Sequence, residues 1–282
     1  MSLKLMYITN LPEVAKIAEA VGVDRIFVDM EYIGKHHRQG GMDTVQSKHT
    51  IEDVRRISDS LTSAELLVRV NPIHEATEEY GSSREEIDAA IENGADILML
   101  PYFKTPEEVQ KFIALVGGRV RTMLLLETPE AAERIDEILA VDGIDEIFIG
   151  LNDLSLGYGK KFMFELLADG TVESLIEKFK AKDLPYGFGG LASLEGGLLP
   201  GKMVLGEHYR LRSSCVILSR SFCNTSKITD LSKIQENFID GVAKIRAYEE
   251  ICQRNTDKER EENRKNVCAS IEKIIEKILQ QE

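Results

Sequence analysis

Short apolar runs recur along this chain at near-regular intervals, and each is followed by a stretch whose apolar residues fall at helical spacing, a pattern few folds accommodate. The runs begin at Lys4, Arg25, Glu65, Ile97, Arg121, Asp145, Tyr186 and Ser214. Eight strand-then-helix units in 282 residues specify an α/β chain of the TIM (β/α)8 barrel type. A doubly wound open sheet, the competing architecture, would show a glycine-rich phosphate loop after an early strand, and none stands there. Helix signals support the count. Val14, Ile17, Ala18 and Val21 share one face, Thr50 is placed to cap a helix with Asp53 three residues on, and Thr105 precedes Pro106 at a helix start. Between Lys160 and Leu184 the pattern predicts a helix broken near Asp169 and Gly170, and from Leu231 onward it predicts helix to the end. The expected organisation is a barrel over 1–250 and a C-terminal helical extension over 251–282. Val267, Ile271, Ile274, Ile275 and Ile278 form a second apolar stripe in that extension, expected to pack in a homo-oligomer interface or to fold back as an extra cover.

A parallel barrel presents its chemistry at the carboxyl ends of its strands. Strand two ends in Asp29-Met30-Glu31-Tyr32, strand three in Arg69-Val70-Asn71-Pro72, strand five in Glu127-Thr128-Pro129, and strand six in Gly150-Leu151-Asn152-Asp153. Two carboxylates from consecutive strand ends, Glu127 and Asp153, suit one hard divalent cation, Mg²⁺ or Mn²⁺, whose other positions go to water and substrate oxygens. Arg69 suits a carboxylate through paired hydrogen bonds. Metal and guanidinium together are what a 2-keto acid requires, because charge withdrawn through its keto oxygen stabilises an enolate. The bland alternatives are a helix cap and a loop acid for the carboxylates, and a rim salt bridge for Arg69.

Composition narrows the partners. A formal net charge of −13 argues against nucleic acid or an anionic membrane surface. No run approaches the length of a membrane span and the N-terminus lacks the basic-then-apolar order of a secretory signal, so a cytoplasmic protein is expected. Cys215, Cys223, Cys252 and Cys268 form no CxxC pair and are read as reduced thiols.

The rim residues carry a resemblance. VDME at 28–31, VRVNP at 68–72, GADILMLP at 94–101, TPEE at 105–108, LLLET at 124–128 and VDGIDEIFIGLNDLS at 141–155 are similar, in order and spacing, to the HpcH/HpaI aldolase and citrate lyase β-subunit family. The resemblance covers roughly residues 20–160. It implies a metal-dependent barrel that makes or breaks a carbon-carbon bond through a pyruvate or acyl-CoA enolate. By that resemblance Glu127 and Asp153 fall on the metal ligands and Arg69 on the arginine that holds the substrate carboxylate. Asp29 and Glu31 join Arg69 as candidate catalytic groups, and Asn152 and Arg220 are candidate substrate contacts. The family's Asp-x-Glu-His pattern is broken here, because Tyr32 stands in the histidine's place. His36 and His37, a few residues on, are then the candidates for proton transfer. Beyond residue 160 the resemblance fades. The glycines at 187, 189, 190, 196 and 197 are candidates for a phosphate site or for tight turns, and Arg210, Arg212 and Arg220 add positive charge. A keto-acid lyase is thus expected, with a CoA-ester lyase and a non-catalytic barrel that binds an anionic metabolite as the alternatives.

Overall fold

The computed structural model describes residues 2–34 and 49–281; the candidates His36 and His37 lie outside them. Eight parallel strands close into a barrel in sequence order: β1 (Lys4–Ile8), β2 (Arg25–Asp29), β3 (Glu65–Arg69), β4 (Ile97–Leu100), β5 (Arg121–Leu126), β6 (Glu146–Ile149), β7 (Tyr186–Leu191) and β8 (Cys215–Leu218). The ring closes where Lys4 to Tyr7 of β1 register against Cys215 to Leu218 of β8. Between the strands run α1 (Pro12–Ala20), α2 (Ile51–Ser58), α3 (Ser83–Glu92), α4 (Pro106–Val116), α5 (Pro129–Glu133), α6 (Ile135–Ile138), α7 (Leu151–Gly157), α8 (Glu165–Ala168), α9 (Thr171–Ala181) and α10 (Gly201–Leu211), and after β8 come α11 (Leu231–Arg254) and α12 (Asp257–Leu279). This is a TIM barrel. The expected capping box at Thr50 and Asp53 is formed, and Thr105 caps α4 together with Glu108.

Alternation along each strand sorts its residues between two cores. Outward residues such as Ile26, Val28, Val68, Leu98, Leu124 and Ile147 are buried beneath the helices. Inward residues fill the barrel in three layers. At the amino end, Arg25 has no exposed side-chain surface; it donates to both oxygens of Glu146, at 2.7 and 2.6 Å, and through Nε to Glu65 at 2.9 Å. Arg121 pairs with both acids as well. The middle layer is apolar, made of Met6, Phe27, Leu67, Met99, Met123 and Phe148 among others. Two residues further along the same strands come Asp29 and Arg69, and on β5 the inward series Arg121, Met123, Leu125 leads to Glu127 at its exit.

The C-terminal segment is not one continuous helix. Thr256 opens a fresh capping box with Glu259, which stops α11 at Arg254 and starts α12. Val267 and Ile271 of the second stripe are buried in the chain's own core, Ile274 and Ile275 pack half-buried against it, and Asn263 donates to Met203 O and to Glu207 of α10. Asn263 also approaches Gly206 so closely that a Cβ there would meet its amide at 2.6 Å. Among the described residues no helix is long and apolar enough to cross a membrane.

Glu146→Ala is expected to cost about 3 to 5 kcal/mol of stability, because it leaves a fully buried guanidinium short of its paired partner. Urea unfolding measures it, and a loss below about 1 kcal/mol would mean that Glu65 alone suffices for Arg25.

Candidate active site

The carboxyl-end rim carries two groups of side chains. The first is built on β2 and β3, which register Asp29 directly against Arg69. Arg69 donates from Nε and Nη2 to the two oxygens of Asp29, each at 2.8 Å, and Nη1 lies 3.3 Å from Glu31. Burial opposes a charge at this position, but Asp29, Glu31 and Glu127 outweigh it and hold the guanidinium above its ordinary range. Arg69 is thus permanently cationic, with one donor edge fixed by Asp29. The ion pair named above as the bland alternative exists, with Asp29 on the Nε/Nη2 edge and Glu31 beside Nη1. Asp29, Arg69 and Arg220 line one cavity of about 380 Å³ at the mouth, together with His49, Tyr7 and Asn10. Of the three arginines from the last third, Arg220 belongs to the rim, whereas Arg210 is paired with Glu173 and Glu207 and Arg212 is the left-handed cap of α10.

The second group forms where β5 and β6 end. Glu127 is 4% exposed and accepts the Tyr102 backbone N–H at 3.0 Å. Tyr102 has φ of 49°, a left-handed conformation that a tyrosine adopts at a cost, and it follows β4 by two residues. Nothing in the sequence beyond Pro101 marked that turn. Asp153 stands in the first turn of α7, so it is not the loop acid of the bland alternative, and Asn152 donates to it at 3.3 Å. Asn152 thus acts on Asp153, while Glu127 and Asp153 together line a cavity of about 180 Å³ with Tyr102, Thr128 and Leu156. Gly150 makes their approach feasible, since a Cβ there would stand 2.8 Å from the Glu127 Cβ and 2.9 Å from its Oε2. The donor set consists of two hard oxygen ligands on one cavity, which fits a magnesium-type cation holding water and substrate at its other positions. Among the described residues no group of three or more His, Cys, Asp or Glu is arranged for a metal.

Tyr32 does not take over a histidine's work in the mouth. Asn71 Oδ1 accepts the backbone N–H groups of Tyr32 and Ile33, both at 2.9 Å, and the Tyr32 ring is 52% exposed, edge-on to Tyr80. The described histidine at the mouth is His49, whose Nδ1 accepts the Asp29 backbone N–H at 3.0 Å. Sequence reasoning passed over it, because it stands next to a helix cap and far along the chain from Asp29. His74 and His208 lie elsewhere, the first tying Pro72 O to Gly81 O and the second buried flat against Phe188. The glycines near β7 serve packing: Gly187 abuts Cys215 and Phe148, and Gly189 has φ of +52°.

Fold and rim define a TIM-barrel protein with a charged carboxyl-end site that pairs a buried arginine with a two-carboxylate cavity. Residues 5–165 match the model of the HpcH/HpaI aldolase/citrate lyase family, more than half of the chain, and the chain belongs to that family. A hydroxypyruvate/pyruvate aldolase from Roseovarius nubinhibens is 27% identical over 106 residues, which is 38% of this chain and 40% of the relative. The chain spans 41% and 40% of the length of two curated relatives that it matches. An HpcH/HpaI aldolase from Desulfitobacterium hafniense superposes with a TM-score of 0.59 at 17% identity, over 83% of this chain and 93% of that one. An HpcH/HpaI aldolase/citrate lyase family protein from Burkholderia cenocepacia gives a TM-score of 0.60 at 14% identity, over 83% and 95%. At that identity these two share the fold.

Arg69→Lys is expected to lower stability by about 1 to 3 kcal/mol, because an ammonium cannot keep both bonds to the buried Asp29 carboxylate. Denaturant titration measures this, and a variant as stable as the parent would show that the pair contributes nothing net to the fold.

Proposed function

We propose that the protein is a divalent-metal-dependent carbon-carbon lyase of the aldolase type, acting through the enolate of pyruvate or a related 2-keto acid. One observation carries this reading: two carboxylates line a single rim cavity, and one of them, Glu127, helps to hold the buried Arg69 in its charged form. Glu127 and Asp153 are the residues that would hold Mg²⁺ or Mn²⁺. When bound, such an ion draws charge from the substrate's carboxylate and keto oxygens and so favours the enolate. Arg69, held along its Nε edge by Asp29 and with Nη1 3.3 Å from Glu31, is the residue that would meet the substrate carboxylate, through its Nη groups. In condensation a methyl C–H bond breaks, its proton passes to a base, and its electron pair forms the enolate double bond. The enolate carbon then attacks an aldehyde carbonyl, forming the new C–C bond, and the aldehyde oxygen takes up a proton. Cleavage is the reverse. Asp29 and Glu31 are both engaged with Arg69, so their part is to fix the arginine. His36 and His37, outside the described residues, are the proposed proton carriers, and loss of the one that serves should slow the reaction by about 10² to 10⁴.

A CoA-ester lyase would use the same metal and arginine. Beside the mouth lies a groove of about 930 Å³ that shares Arg220, Cys223 and Asn224 with the mouth cavity, roomy enough for an extended substrate. Its walls include the carboxylates Glu195 and Asp240, and Lys244 is already bound to Asp240 at 2.6 Å. Glu195 is likewise paired with Lys202, so these lysines are engaged by acids rather than held for the phosphates of an adenine nucleotide, which favours the keto-acid reading. We further propose that the protein works in the cytoplasm as a homo-oligomer, with the exposed Ile239 and Ile251 of α11 and Leu279 of α12 in the interface over which 251–282 contributes. Light scattering on the intact chain tests the assembly, and a monomer mass would end that part of the proposal.

With Mg²⁺ or Mn²⁺ present, the protein is expected to exchange the methyl protons of pyruvate with deuterated water, followed by proton NMR. Glu127→Gln and Asp153→Asn are expected to abolish most of the exchange and most of the divalent-metal heat in calorimetry while the fold persists. No exchange by wild-type protein that binds metal would sink the enolate reading and leave the CoA-ester or non-catalytic one.

A further inference from the structure

The anchoring of His49 decides what that ring can do. Its Nδ1 lies 3.0 Å from the backbone nitrogen of Asp29, and a backbone N–H can only donate, so Nδ1 holds a lone pair and the neutral ring carries its proton on Nε2. Both sides of the contact are firmly held. Asp29 is 2% exposed and fixed by Arg69, and His49 directly precedes Thr50, the capping residue of α2. The ring lines the same cavity as Asp29, Arg69 and Arg220. Tyr32, meanwhile, is turned away toward Tyr80.

We propose that His49 serves this site as a neutral hydrogen-bond donor, its Nε2–H directed to the keto oxygen of the bound 2-keto acid and to the enolate oxygen that this becomes. The proposal rests on the enolate reading above and adds a catalytic residue to it. His49 is not the base: Nε2 already carries a proton, and protonating Nδ1 would set two donors, that nitrogen and the Asp29 N–H, against each other. The arrangement resembles a neutral imidazole polarising a carbonyl, in which a backbone donor on one ring nitrogen commits the other to donation. Such a donor acts where negative charge develops and is already in place when the reaction begins.

The test uses the full chain loaded with Mn²⁺ or Mg²⁺. His49→Leu is expected to lower kcat for pyruvate proton exchange by about 10² to 10³ while KM changes little, as for loss of one preorganised donor. His49→Gln, whose amide can accept from Asp29 and still donate, is expected to recover part of that loss. Nitrogen NMR of the ring-labelled protein is expected to report a protonated Nε2 and an unprotonated Nδ1, with the Nε2 signal moving when oxalate, an enolate-like dianion, is added. A protonated Nδ1, an Nε2 signal indifferent to oxalate, or a His49→Leu variant that exchanges at the wild-type rate would each overturn the proposal. If wild-type protein shows no exchange, the enolate reading fails by itself, and the tautomer with the oxalate titration still decides whether His49 is a donor to a bound anion. Should His49→Leu fail to fold, His49→Gln and the NMR measurements carry the decision.

Discussion

Closing eight parallel strands leaves an interior of fixed width in which the inward side chain at every second position has nowhere else to go. Any charge on that face is therefore buried, and a buried charge persists only when paired and hydrogen-bonded. At the amino end this rule produces the cluster of Arg25, Arg121, Glu65 and Glu146. At the carboxyl end it produces the bidentate pair of Arg69 with Asp29. The apolar layer of Phe27, Leu67, Met123 and Phe148 separates the two. The site inherits its rigidity from this construction, because its arginine is one two-residue step beyond a packed core and cannot swing away from its acid.

The rim then divides the work among its acids. Asp29 and Glu31 neutralise and orient Arg69. Glu127 and Asp153 line a different cavity, next to Gly150, which no larger residue can replace without striking Glu127. Glu127 nevertheless acts on Arg69, favouring its charged form from a distance. Under the proposed function, a negatively charged keto acid would meet guanidinium donors on one side and the carboxylates proposed to hold a cation on the other. With the proposed cation bound, that arrangement would suit enolate formation, in which charge moves from a methyl carbon to an oxygen.

Tyr32 and His49 show how a site can draw a residue type from an unexpected place in the chain. The backbone after β2 is clamped by Asn71, which directs the Tyr32 ring outward. The chain returns to the rim at Thr50, and the residue just before that cap reaches Asp29. A histidine is thus present at the mouth although the position after Glu31 lacks one.

Much of this was legible in the sequence. Period-two alternation put Asp29 on the same face as Arg25 and Phe27, and Arg69 on the same face as Glu65 and Leu67, and the count of strand-helix units specified the barrel that brings those faces together. Caps at Thr50 and Thr105 located the helices because a cap is a contact within four residues. The break between α8 and α9 was legible at Asp169 and Gly170 for the same reason. Other features were decided by the tertiary structure alone: that Arg69 spends one edge on Asp29, that Tyr102 takes a left-handed turn to reach Glu127, that Asp153 opens a helix, and that His49 rather than Tyr32 occupies the mouth. Each depends on which strand ends stand next to one another and on the path a loop takes between them. Local periodicity carries no information about either, because both follow from how the whole ring of strands closes.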